Sequence, residues 1–106
     1  MRKKSPSASA QRGHLTPHDS FELRLYIAGN APNSQLAMTN LASICAEFLA
    51  GRFQLETIDV LTTPLRALAD GVLVTPSLTV SNAGSQVRVI GNLNDRNGVL
   101  LAMGIK

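Results

Sequence analysis

The stretch LYIAGNAPNSQLAM, Leu25 to Met38, holds a strand end, a dense polar turn and the start of a helix. Upstream, FELRLYI (residues 21–27) alternates. Phe21, Leu23, Leu25 and Ile27 face one way, and Glu22, Arg24 and Tyr26 the other, which is the period of a strand. AGNAPNS then supplies Gly, Asn, Pro and Ser, residues that favour turns. Ser34 or Asn33 is placed to cap a following helix with a side-chain oxygen. From Gln35 to Leu49 the apolar residues recur at helical spacing. Leu41, Ile44, Cys45, Phe48 and Leu49 form the stripe, extended upstream by Leu36, Ala37 and Met38. Gly51 follows the last turn, and FQLETIDVL (53–61) reads as a second strand. A strand, a helix and a strand of this length predict a right-handed crossover and two parallel strands.

The second half carries weaker signals. Pro64 suits the first turn of a short helix, PLRALAD, closed by Gly71. VLVTPSLTV is apolar and β-branched, and Pro76 inside it calls for an edge position, a bulge or a cis bond; a thioredoxin-like form predicts cis, with a trans Pro at an edge as the alternative. SNAGS (81–85) reads as a five-residue hairpin connection to QVRVIG (86–91). The last segment predicts a short helix with Asn94 as cap, Val99, Leu100 and Met103 packing inward, and Gly104 as stop. Asn97 and Gly98 weaken it. The predicted order is βαβαββα, an α/β domain of thioredoxin-like type.

The charge is unevenly placed. Residues 1–20 hold Arg2, Lys3, Lys4 and Arg12 against Asp19, which accounts for the whole formal charge of +3; residues 21–106 hold six basic and six acidic groups. A neutral folded domain has no whole-domain nucleic-acid footprint, so a nucleic-acid partner is not expected. The basic tail has few large apolar residues and is expected to be disordered, leaving residues 21–106 as the single domain. It has no apolar run of the secretory type, and no segment of the chain approaches membrane-spanning length. Neither a membrane association nor a cofactor is expected, and the cytoplasm is the expected compartment.

Candidate chemistry is sparse. A thioredoxin opens its first helix with a Cys-x-x-Cys pair, because the helix N-terminus stabilises a thiolate. The equivalent window here, NAPNS, has no thiol, so disulfide exchange at that loop is excluded. Cys45, the sole cysteine, falls on the apolar stripe and reads as core packing; the alternative is a one-Cys redox protein that uses it. His14 and His18 lie in the tail without a carboxylate cluster, a poor metal site. Asp59 reads as a turn or cap group, and neither a paired acid–base site nor a phosphate loop is present. No enzymatic activity is expected.

LRLYIAGNAPNS (23–34), TIDVL (57–61), VLVTPSL (72–78) and VIGNLNDR (89–96) resemble the KaiB family of circadian-clock proteins, from about Glu22 to Ile105 without a gap. The resemblance implies a non-catalytic regulatory adaptor on a thioredoxin-like scaffold. Its partner would be a KaiC-like hexameric ATPase, in a clock, timing or stress-response system. It also implies fold switching, with a tetramer whose C-terminal half is rearranged as the alternative fold. An oligomeric structural role without an ATPase is the remaining alternative. Family members often carry basic residues, which help hold clock partners, at the positions held here by Leu36, Thr39, Glu56 and Gly71; Arg88 keeps its charge. Glu56 reverses the sign where a KaiA-type partner would dock, which disfavours that contact. Pro76, Ala102 and Gly104 are the expected determinants of the fold state. Ala102 stands where the family has Gly, and Gly104 where it has Asp, which favours a monomeric thioredoxin-like form.

Overall fold

The computed structural model describes residues 20–105. The elements run β1 (Phe21–Ile27), α1 (Pro32–Phe48), β2 (Phe53–Asp59), α2 (Pro64–Ala69), β3 (Ser77–Asn82), β4 (Ser85–Ile90) and α3 (Arg96–Ala102). They form one four-stranded sheet in the order β2-β1-β3-β4. β1 and β2 are parallel, as the crossover requires; β3 and β4 are antiparallel to their neighbours. This is the predicted βαβαββα order. The basic tail, His14 and His18 lie outside the described residues.

The alternation of β1 decides which face does what. Phe21, Leu23, Leu25 and Ile27 join Leu78 and Val80 of β3 on one face. Ala37, Leu41, Ile44 and Cys45 of α1 and Val99 and Leu100 of α3 close over them. These buried α1 positions follow helical spacing, while Leu36 and Met38 are exposed. Each of those two lies about 100° to one side of Ala37 around the helix, so the expected stripe is narrower than the run of apolar residues.

Several local expectations change. Pro32 is the first residue of α1 and Ala31 its N-cap, without a side-chain cap. Ser34 lies inside the helix and is buried; its Oγ accepts from Ala28 N–H at 3.0 Å, fastening the loop back onto the helix. β2 ends at Asp59, whose Oδ1 accepts from Gly29 N–H and Leu61 N–H and so joins two loops. The β3–β4 connection is a two-residue turn rather than five. Ala83 and Gly84 both have positive φ (54° and 83°), which matches the right-handed strand twist. The Thr75–Pro76 bond is cis, as expected of the thioredoxin-like form, and it precedes β3, an inner strand. Asp95, not Asn94, caps α3 by accepting from Gly98 N–H.

α2 and α3 end alike. Val72 N–H reaches Ala67 O and Gly71 N–H reaches Leu68 O; Ile105 N–H reaches Leu100 O and Gly104 N–H reaches Leu101 O. Both are Schellman closures with a left-handed glycine, at φ +73° and +79°. Gly104 is therefore the stop that the sequence predicts. Ala102 is the last helical residue rather than an interior one, so its advantage over Gly is smaller than the interior value.

Candidate functional site

The opposite face of the sheet is polar and carries α2. In-register pairing lines up Glu56, Arg24, Thr79 and Arg88 across all four strands; Ile58, Tyr26, Ser77 and Ile90 form the next row. Tyr26, which alternation places on the solvent side, is fully buried. Its hydroxyl donates to Asp70 Oδ2 at 2.7 Å, just past the end of α2. Burial and that carboxylate hold the Tyr26 pKa above its ordinary value.

A chain of charges extends from this contact. Arg66 Nε donates to Asp70 at 3.0 Å, while its two terminal nitrogens fork Glu56 at 3.0 and 2.9 Å. Bidentate guanidinium–carboxylate pairing is the strong geometry for such a pair. The Arg66 fork lowers the Glu56 pKa, and the Tyr26 hydroxyl followed by Arg66 lowers that of Asp70. Arg88 donates to Gly71 O and Asp70 O, both at 2.9 Å, holding the C-terminal end of α2 onto β4.

Glu56, Gly71 and Arg88 are thus brought together in one cluster. Leu36 and Thr39 are exposed on α1, on the other side of the sheet, and do not belong to it. No motif in the sequence marks Tyr26, Arg66 and Asp70 as site residues. The available signal was the opposite charge at Arg66 and Asp70, four residues apart in a short helix.

Apolar exposure concentrates here as well. Among the described residues, eleven large apolar side chains are exposed, and Leu61, Leu65, Leu68, Leu73 and Val74 all flank or belong to α2. Solvent-facing apolar side chains therefore stand beside the ordered polar contacts of Arg66 and Arg88.

The start of α1 offers no catalytic group. Asn33 accepts from Asn92 Nδ2–H at 3.3 Å, and Asn40 Nδ2–H donates to Asn92 O at 2.9 Å, tying the helix to the loop before α3. Cys45 is buried in the core, and burial pushes its thiol pKa up, away from the reactive thiolate. Among the described residues no cluster of His, Cys, Asp or Glu could hold a metal ion, and no helix is long and apolar enough to cross a membrane.

The fold and site define a thioredoxin-like protein whose first helix opens without the thiols of that fold. Solved structures agree on the fold. Fasciola hepatica thioredoxin superposes with a TM-score of 0.66 at 14% identity, covering 85% of each chain. Chloroplastic thioredoxin z gives 0.62 at 20% identity, covering 79% of this chain and 80% of its own. The KaiB domain profile matches residues 24–105, and the chain belongs to the KaiB family. The circadian clock oscillator protein KaiB of Prochlorococcus marinus is 38% identical over 86% of this chain and 78% of its own length. The circadian clock protein KaiB3 of Synechocystis is 41% identical over 78% and 81%. These relatives support a clock-type regulatory role.

Proposed function

We propose that this protein is a non-catalytic adaptor that docks on a KaiC-like hexameric ATPase through α2 and the flanking sheet face. The observation that carries the reading is the cluster of exposed leucines on and around α2, set beside Arg88, Glu56 and Gly71. A surface of that kind supports binding, and the thiol-free start of α1 supports a reading without thioredoxin-type chemistry. Leu36 and Thr39, on α1, would form a separate contact. Glu56 is held by Arg66, so a KaiA-type partner would meet a neutralised pair rather than a free anion. The cytoplasm is the proposed compartment.

The thioredoxin-like form, with Pro76, Ala102 and Gly104 as its determinants, is proposed as the resting state, and the tetramer as the minor one. Size-exclusion chromatography with a KaiC-type hexamer, with and without ATP, tests the docking. Co-elution in at least one nucleotide state is expected; no complex in any state refutes it. Sedimentation at micromolar concentration tests the resting state, with a monomer expected and a stable tetramer against it.

A further inference from the structure

β4 is an open sheet edge. It lies outermost in the strand order and pairs with β3 alone among the described residues. The register fixes which of its backbone groups are free. Asn82 and Ser85 flank the two-residue turn and form a hydrogen-bonded pair, as such a turn requires. The ladder alternates from there through Val80–Val87 and Leu78–Val89 to Gly91 N–H, which donates to Pro76 O at 3.0 Å. The N–H and C=O groups of Gln86, Arg88 and Ile90 therefore point away from β3, and among the described residues they meet no backbone partner.

Edge strands of native proteins are commonly guarded by charge, proline or a bulge. β4, SQVRVI, has no proline, and its register with β3 runs without a bulge. Its single charged side chain is turned back over the sheet, where the Arg88 guanidinium donates to Gly71 O and Asp70 O. Apolar surface continues beside the edge. Val87 is 41% exposed, and a groove of about 450 Å³ joins it to Leu101 of α3, which is 71% exposed.

We propose that this edge pairs with the same edge of a second copy, antiparallel and across a two-fold axis at Val87, so that the two sheets become one of eight strands, four from each copy. A two-fold contact is self-complementary, so one unguarded edge supplies both halves. Charge and overlap select the register. An axis at Arg88 sets two arginines opposite each other, which is destabilising. Axes at Gln86 or Val89 overlap only three residues of each β4. An axis at Val87 overlaps residues 85–89, sets Gln86 opposite the second copy's Arg88 in hydrogen-bonded pairs, and brings the two Val87 side chains together on the face that carries α3. The contact is small. Six residues of strand span about 20 Å, so the buried area falls below the roughly 1,200 Å² of stable complexes. The dimer is therefore weak, with Kd of order 0.1–1 mM, and the protein is monomeric at micromolar concentration.

Sedimentation velocity on the full chain, with no ATPase present, reads this association independently of docking. Wild type should pass from monomer to partial dimer between about 10 µM and about 1 mM. Val87→Lys and Val87→Glu each set like charges face to face at the axis and should stay monomeric over that range; mixed in equal amounts they should dimerise again. Leu65→Ser changes an exposed residue of α2 and should dimerise as wild type does. Oxidised with diamide at high concentration, Val87→Cys should give a disulfide-linked dimer and Val89→Cys should not, because only position 87 meets its own copy and Cys45 is buried. The proposal is overturned by a wild type that stays monomeric at about 1 mM, by a dimer that survives Val87→Lys, by a Lys–Glu mixture that stays monomeric, or by equal cross-linking at 87 and 89.

Discussion

Ser34→Ala tests how the loop before α1 is held. The Ser34 side chain is 1% exposed, and its Oγ accepts the Ala28 N–H at 3.0 Å. Alanine keeps nearly the same volume but leaves that donor without its partner. The contact is part-buried, and stranding a donor away from water costs about 1–3 kcal/mol. Alanine recovers about 0.5 kcal/mol of helix propensity, so the net loss is about 1.5 kcal/mol. For a domain of this size 1 kcal/mol moves Tm by about 4–8 °C, so the expected fall is roughly 6–12 °C. Asn33→Ala, one residue earlier and exposed, removes only the 3.3 Å contact with Asn92 and should stay within about 0.5 kcal/mol. Urea titration of both variants, read by far-UV circular dichroism with the m-value checked, is the assay. Equal, small shifts in the two variants would refute the claim that Ser34 fastens the loop.

Three further outcomes follow from the structure. Leu41→Ala empties a fully buried site between α1 and the sheet and should cost about 2–5 kcal/mol by urea titration. Cys45 should label with a thiol reagent only as fast as the domain unfolds; rapid labelling of native protein at neutral pH would revive a redox role. Stability should fall at both pH extremes. Glu56 and Asp70 have lowered pKa values, so their contribution is present above their unfolded values near 4 and is lost as pH drops through the lower folded ones. Tyr26 has a raised pKa, so its contribution is full below about 10 and is lost as pH climbs through the folded value. In Tyr26→Phe the alkaline fall in the urea midpoint should shrink.

The first half of the chain was readable because its signals are local. Period two in Phe21–Ile27, helical spacing from Ala37 to Cys45 and the short crossover leave one arrangement. Misreadings there are small and local. Pro32 pre-sets the helix start, so Ser34 is drawn inside and its hydroxyl turns back to the loop. In the second half, Ala83 adopts positive φ without being glycine, which hid a two-residue turn inside SNAGS. The candidate site was legible only in part. Arg88, Gly71 and Glu56 follow from the family resemblance, but the Arg66–Glu56, Arg88–Gly71 and Tyr26–Asp70 contacts that build the cluster span 10, 17 and 44 residues. No periodicity encodes pairings of that range. Leu36 and Thr39 show the converse limit, since two positions named for one role fall on the far side of the sheet from the other three.

We propose above that the α2 face docks on a KaiC-type ATPase. Leu68→Asp tests it most directly, because Leu68 is 72% exposed and its replacement puts a charge into the surface without touching the core. Binding of wild type and Leu68→Asp to a KaiC-type hexamer would be titrated by fluorescence anisotropy in each nucleotide state. A wild-type complex in at least one state is expected, with a loss of affinity of tenfold or more on substitution, about 1.4 kcal/mol. Equal affinity of the two proteins, or no wild-type complex in any state, would contradict it.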